Sequence, residues 1–429
     1  MRVTALASRL VSERGEPLGL SGLIVPLSGA VQATADPFEP FRLVDSAGDP
    51  VVPVMEFLAD LQAAGRAAAT QRSYAMALLR WFRFLWAVEV PWDQATRVEA
   101  RDFIRWVQVA GKPERRHWRK GGNEDAASAR PGIPVPNRVT GKSPPGPQYA
   151  AATVAHGETV ARTFYDFCLQ AGTGPLVNPF PLARAGRPHA HHNPMDRFAG
   201  QRAGLFRPRV AQRIPRQIPD GTFDELFAAL NSHRDRALLA FWISTGARAA
   251  ELLGALAGGI DPGQQLVTVM RKGSPAVQQL PASPDAFVWL RLYQQQMHDL
   301  VPSGPDDRIW WTLRRPFRPL SYPAARAMFG RANQVLGANW TLHDLRHSAS
   351  YRLARDPQVL LTDVQWILGH AHLSTTELYL NTTPKDAVDD VLAHYRRRAD
   401  VKQETPPVPS AGDLQYRPEA LDALFGDAW

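Results

Sequence analysis

The sequence predicts a mainly α-helical protein of two domains with one small β-hairpin. Three observations carry that expectation. The chain has 429 residues, room for roughly two to three domains at about 150 residues each. Two stretches, 51–182 and 219–399, repeat apolar residues at three- and four-residue spacing, the period of helices with one buried face. Between them, 183–218 holds eight Arg, one Asp and several Pro with no apolar period, which reads as a linker. A composition 45% hydrophobic and 21% charged suits globular domains with sizeable cores.

Residues 1–50 read as an irregular N-terminal arm. Their apolar run, Leu18–Val31, is broken by Ser, Gly and Pro, which makes a poor signal peptide. Thr70 is expected to cap a helix carrying Tyr74, Leu78, Trp81, Phe82 and Leu85. Thr96 and Glu99 form a capping box before Phe103, Ile104, Trp106 and Val107. A third helix is expected over 150–170, with Val154, Phe164, Phe167 and Cys168 inward; the aromatic residues of all three read as core. Beyond the linker, helices are expected near 221–231, 234–245, 248–257, 285–300, 321–337, 343–355, 361–368, 374–381 and 384–398. Leu266–Met270 and Val277–Leu280 read as a hairpin around Lys272. The tail, 400–429, reads equally as a disordered end or as a segment that docks on a neighbouring copy.

Several function classes drop out. A lone Cys168 excludes an internal disulfide framework and a Cys-based zinc site. No run of 18 apolar residues exists to span a membrane. There is no Walker loop and no GxGxxG fingerprint. The expected location is the cytoplasm, in association with the nucleoid.

The net charge of +8 leans toward a polyanionic partner. It is carried by 43 Arg and only 6 Lys. Lys112–Gln148 interrupts the first helical domain with eight basic and three acidic residues, seven Pro and five Gly. It reads either as a solvated loop or as a basic insertion whose Arg115, Arg116, Arg119 and Lys120 meet DNA phosphates.

Polar residues interrupt apolar helices at four places in the second domain, and a fifth stands on the hairpin. Thr245-Gly-Ala-Arg248 lies where one helix ends and another begins. His343 and Arg346 lie three apart, on one helical face. Leu368-Gly-His370 ends a helix, with Gly369 as the stop. Ser374-Thr-Thr-Glu377 reads as a capping box that opens a short helix bearing Tyr379. Lys272 sits on the hairpin. Two guanidiniums can hold the non-bridging oxygens of a phosphate and neutralise a pentacoordinate transition state. A phenol with a pKa near 10 needs cationic neighbours or a base before it attacks. A histidine can take or orient its proton, and a lysine can protonate the leaving 5′-oxygen.

With these residues the sequence resembles the tyrosine recombinase (phage integrase) family. The motifs are Thr245-Gly-Ala-Arg-Ala-Ala-Glu-Leu252, Lys272, His343-Asp-Leu-Arg346, Leu368-Gly-His370, and Tyr379 nine residues after His370. Each motif is weak alone; their order and spacing together are specific. The close match covers about 219–399, and 51–182 resembles the family's core-binding domain more loosely. The hairpin departs from the usual G-K-G, with Arg271 before Lys272 and no later basic residue. Yet Lys272 is the only Lys between 142 and 385 in a chain that otherwise chooses Arg. An Arg does not readily give up its proton.

The resemblance implies a helical core-binding domain and a catalytic domain forming a C-shaped clamp on double-stranded DNA. Arg248, Lys272, His343, Arg346, His370 and Tyr379 would be catalytic, and Arg271 a DNA contact. It implies a homotetramer on two recombination sites, a 3′-phosphotyrosyl intermediate, and no metal or other cofactor. The insertion and the N-terminal extension point to integration or transposition of a mobile element. Other readings stay open at this stage: a type IB topoisomerase, a non-catalytic DNA-binding protein, Tyr395 as nucleophile, His347 or His372 in place of His343 or His370, and Arg346 pairing with Asp344 or Asp363.

Overall fold

The computed structural model describes residues 23–113, 135–144, 146–183, 203–210, 215–273, 276–380 and 391–397. The chain falls into two compact units, one before residue 214 and one built chiefly from 214 onward.

The first unit opens with a two-stranded antiparallel hairpin, β1 (Ala30–Ala33) and β2 (Phe41–Val44), in the register Ala30↔Val44. This differs from the irregular arm expected of residues 1–50. The arm is held by Arg83, which donates to the carbonyls of Ser28 at 2.7 Å and Gly29 at 2.8 Å. Strands this short carry little pattern, and the anchor is a residue more than fifty positions away. Four helices follow, α1 (Val52–Ala63), α2 (Ala68–Ala87), α3 (Arg97–Val109) and α4 (Ala151–Gln170).

The capping box of Thr96 and Glu99 opens α3 as expected, with Thr96 N–H donating to Glu99 at 2.8 Å. Thr70, by contrast, caps nothing. α2 already begins at Ala68, and its entry is closed by Gln71 donating to the Arg66 carbonyl at 2.9 Å. The core of this unit is aromatic, as the periodicity requires. Trp81 is fully buried, edge-on to Phe103 at 5.0 Å and to Phe180 at 5.1 Å. Its indole N–H donates to Tyr165 at 3.1 Å, and Tyr165 donates to the Trp92 carbonyl at 2.8 Å. Both polar tips are thereby satisfied inside the core.

The second unit is built around α6 (His233–Thr245), buried on every side. A helix that is apolar all round belongs at the centre of its domain. Helices α8 (Pro284–Met297) and α10 (Leu342–Ala354) pack against it. Around them lie α5 (Asp220–Ala228), α7 (Ala249–Leu253), α9 (Tyr322–Val335), α11 (Leu361–Leu368) and α12 (Leu373–Glu377). Residues 391–397 are also helical. The expected hairpin is present, as β4 (Leu266–Met270) and β5 (Val277–Pro281), and a two-residue strand β3 (Ile260–Asp261) extends it to an antiparallel sheet in the order β3-β4-β5. Val267 and Val269 alternate inward, as period two requires. The helix expected over 248–257 stops at Leu253, and a short 3-10 turn then leads into β3. The described residues are thus mainly α-helical with two small sheets. Among the described residues no helix is long and apolar enough to cross a membrane.

Candidate active site

Three chain reversals converge in the second unit. Gly246 ends α6 at φ +61°, and a Cβ there would lie 2.9 Å from Leu368 Cδ2. Glycine is required on both counts: the left-handed backbone and the close approach of α11. Gly369 ends α11 at φ +62°, and a Cβ there would lie 3.2 Å from Arg271 Nε. Thr341 opens α10, its hydroxyl accepting from the Asp344 N–H while the Asp344 carboxylate accepts from Thr341 N–H at 2.7 Å. The first turns of α10 therefore face the ends of α6 and α11.

Arg346 is drawn into that junction. It is 3% exposed and donates to the Gly246 carbonyl at 2.7 Å, the Leu368 carbonyl at 2.6 Å and His370 Nε2 at 3.1 Å. It has no carboxylate partner among the described residues. Asp344 instead pairs with Arg216 at 2.7 Å. Burial, reinforced by the neighbouring Arg248, pulls the Arg346 guanidinium down to about 10. A buried cation held only by two carbonyls and a neutral imidazole is expensive, by several kcal/mol in typical cases. An arriving anion would offset that cost.

Arg248 is the first residue of the turn into α7, and Glu251 organises it. The Glu251 carboxylate is buried and accepts four N–H groups: Arg248 N at 3.0 Å, Arg248 Nη1 at 2.9 Å, Arg271 Nη1 at 3.0 Å and Lys272 N at 3.1 Å. Burial alone would push its pKa up. The bonds from Arg248 and Lys272 and the charge of Arg271 outweigh that and hold it below the usual carboxylate value. Two guanidiniums, those of Arg248 and Arg271, thus share one carboxylate. Glu251 also ties the base of the hairpin to α7, leaving the Lys272 side chain exposed.

Arg271, expected as a DNA contact, is bonded within the protein itself. Its side chain is 7% exposed, with Nε on Gln278 at 2.6 Å, Nη1 on Glu251 and Nη2 on the Ile367 carbonyl. All three nitrogens are spent bracing the hairpin against α11. Arg115, Arg116, Arg119 and Lys120 lie outside the described residues.

Near Arg346, His370 follows Gly369. Its Nε2 faces a group that can only donate, so Nε2 accepts, and Nδ1 carries the proton toward Thr376 Oγ1 at 2.9 Å. Burial and Arg346 pull its pKa down to about 4, consistent with a neutral ring. The capping box expected at Ser374-Thr-Thr-Glu377 does not form. α12 starts at Leu373 after His372, without a side-chain cap, so Ser374 lies inside the helix rather than at its N-cap; Thr376 is buried and engaged by His370. Tyr379 lies two residues past the end of α12, in the turn that follows it, its N–H on the Thr376 carbonyl at 3.0 Å.

The Tyr379 ring is 4% exposed, edge-on to Tyr351 at 5.2 Å and parallel to His370 at 6.3 Å. Burial pushes its pKa up, opposed by the Ser350 hydroxyl and the charges of Arg346 and Arg248. Tyr395, the alternative tyrosine, is 60% exposed on the helical segment 391–397.

One site residue was passed over on spacing. His347 Nδ1 lies 2.9 Å from the Tyr379 hydroxyl, and its ring meets His343 edge-on at 4.2 Å. The signal was present in the sequence: His343 and His347 are four apart, and so share a helical face. What the sequence does not show is which of them Tyr379 meets. The structure thus gathers Arg248, Arg346, His343, His370 and Tyr379 into one unit, with Lys272 beside them on the hairpin. Among the described residues no three or more His, Cys, Asp or Glu side chains gather as a metal-ligand set.

The Phage integrase family profile matches residues 219–386, a span that contains all six of those side chains. Tyrosine recombinase XerC of Stutzerimonas stutzeri strain A1501 is 32% identical over 218 residues, covering 47% of this chain and 67% of its own length. Tyrosine recombinase XerD of Pseudomonas aeruginosa PAO1 is 26% identical over 255 residues, 58% of this chain and 77% of its own. Among solved structures, the Tn1549 transposon integrase in complex with transposon right end DNA aligns with a TM-score of 0.52 at 13% identity, over 81% of this chain and 99% of that one. At that identity the likeness concerns the fold alone.

Proposed function

This chain belongs to the tyrosine recombinase (phage integrase) family and is a DNA recombinase, and from that premise we propose that Tyr379 is the nucleophile that cleaves its DNA. The carrying observation is the charge imbalance beside it. Arg248, Arg271 and Arg346 converge with only Glu251 to balance them, and Arg346 is buried with no ion pair among the described residues. A scissile phosphate would supply the missing anion, with Arg248 and Arg346 on its non-bridging oxygens.

Tyr379 attacks phosphorus, forming a 3′-phosphotyrosyl bond as the bond to the 5′-oxygen breaks. Lys272 gives that oxygen its proton. His343 and His370 border the phosphate site. A 5′-hydroxyl from a second duplex then attacks the phosphotyrosine and restores Tyr379. The phosphodiester energy is held in that bond, so no nucleotide is consumed, and the guanidiniums supply the charge that a metal ion supplies elsewhere. Cleavage is accordingly expected to continue in excess EDTA.

Four copies would act on two recombination sites, in the cytoplasm where the chromosome lies. The basic insertion at 112–148 and the long N-terminal segment support integration or transposition of a mobile element. The test is Tyr379→Phe on a nicked suicide substrate. The variant should bind DNA as the wild type does and yield no SDS-resistant adduct. An adduct from the variant would remove Tyr379 from the mechanism.

A further inference from the structure

The reading of Tyr379 as nucleophile leaves its proton without a destination. We propose that His347 accepts that proton as Tyr379 attacks, and returns it when the DNA is rejoined. The inference rests on the nucleophile reading and assigns a residue that the H-x-x-R and L-G-H motifs do not contain.

Geometry separates the three histidines. His347 Nδ1 is 2.9 Å from the Tyr379 hydroxyl, within direct transfer distance. His370 is fully engaged, Nε2 on Arg346 and Nδ1 on Thr376, and its ring lies at 14° to the Tyr379 ring, so no ring nitrogen is directed at the hydroxyl. His343 stands edge-on to His347 at 4.2 Å, and no hydrogen bond joins it to Tyr379 among the described residues. Its position suits it to hold the His347 ring rather than to take the proton.

The surroundings set the protonation state. His343, Asp344 and Arg346 face His347 from α10, His370 from the turn after α11, and Tyr379 from the turn after α12. Burial, with His343 next, pulls the His347 pKa down to about 4. The ring is therefore neutral at neutral pH and, with its proton on Nε2, its Nδ1 is open to accept. So low a pKa makes a weak base in the empty site. A phosphate anion entering beside Arg346 would favour the imidazolium and raise that basicity when cleavage begins. The step balances: oxygen–phosphorus bond formation displaces the phenolic proton to Nδ1, the leaving 5′-oxygen takes a proton from a separate donor, and both return on rejoining.

The experiment measures single-turnover formation of the covalent adduct on a nicked suicide substrate, with DNA binding measured in parallel. Wild type, His347→Ala, His347→Asn and Tyr379→Phe are compared across pH and with added imidazole. His347→Asn retains a side chain able to hydrogen-bond the phenol but unable to carry a proton. Both His347 variants should lose about 10²-fold or more in rate and gain roughly tenfold per pH unit. Free imidazole should restore His347→Ala, and more basic methylimidazoles should restore it further. Restoration by Asn would make His347 a positioning residue and overturn the proposal. So would a His347→Ala rate within about threefold of wild type, or one indifferent to imidazole. If His347→Ala does not bind DNA, His347→Asn decides alone, by its rate and pH slope. Adduct from Tyr379→Phe would sink the nucleophile reading itself, whereas a dead Tyr379→Phe beside a normal His347→Ala would sink only the proton transfer.

Discussion

Glu251→Gln tests the charge arrangement most directly, because it keeps the shape of the side chain and removes its charge. The carboxylate balances Arg271 at 3.0 Å, whose side chain is 7% exposed, and Arg248 at 2.9 Å, which is 33% exposed. The Arg248 arm is partly screened by solvent and contributes little. The Arg271 arm is buried, and removing one partner of such a pair costs about 3–5 kcal/mol. Taking the lower end for a glutamine that keeps some of the four hydrogen bonds, the catalytic unit should lose about 3 kcal/mol. At roughly 2–4 °C per kcal/mol for a unit of this size, its melting transition should fall by about 6–12 °C at pH 7.

The gap should depend on pH with a definite sign. The folded pKa of Glu251 lies below its unfolded value. Its contribution is therefore complete above about pH 4.3 and is lost as pH falls through the folded value. Wild type should thus approach the variant on acidification, while the variant shows no such loss at this position. Calorimetry of the full chain, resolving the transition of the catalytic unit, reads both effects. Adduct formation should slow as well, since Glu251 positions Arg248 and the hairpin bearing Lys272. A variant melting within about 1 °C of wild type at pH 7, or a gap that persists at acid pH, would refute the reasoning.

Lys272→Ala should cleave ordinary DNA very slowly and recover most of its rate on a substrate with sulfur at the bridging 5′ position, since a thiolate leaves without protonation. Arg248→Ala should not recover in that assay, and equal recovery of both would place the acid elsewhere. Gly246→Ala should destabilise the catalytic unit by roughly 1–3 kcal/mol, from the left-handed backbone and the contact with Leu368, and should slow cleavage by shifting the carbonyl that holds Arg346. An unchanged melting temperature would contradict it. Replacing Arg115, Arg116, Arg119 and Lys120 should weaken DNA binding across sequences and flatten its salt dependence, by about 0.9 in the log–log slope for each phosphate that is no longer neutralised. An unaltered slope would leave the segment a solvated loop.

The sequence alone determined the helical class, the placement of the hairpin and the identity of the cluster from Arg248 to Tyr379. Those features are local or ordinal. Apolar period marks helix faces, Gly246 and Gly369 mark helix ends, and the motifs carry their order and spacing along the chain. The Thr96 box was legible for the same reason, since both partners lie within one turn.

Where the sequence misled, a competing partner lay elsewhere in the chain. The box at Ser374 does not form because α12 starts one residue earlier, at Leu373, while His370 reaches across the turn to Thr376. Arg271 reads from the sequence as a DNA contact, and nothing local to the hairpin shows that Glu251 and the Ile367 carbonyl hold its side chain inward. Arg346 had two acidic candidates nearby, yet it took the carbonyls of Gly246 and Leu368, 100 and 22 residues away. His347 was set aside on spacing, and only the packing of the turn after α12 against α10 placed it on the Tyr379 hydroxyl. Residue type and spacing name the groups a site can use, whereas long-range burial decides which donor meets which acceptor, because each buried polar group must find its partner among whatever the fold brings near.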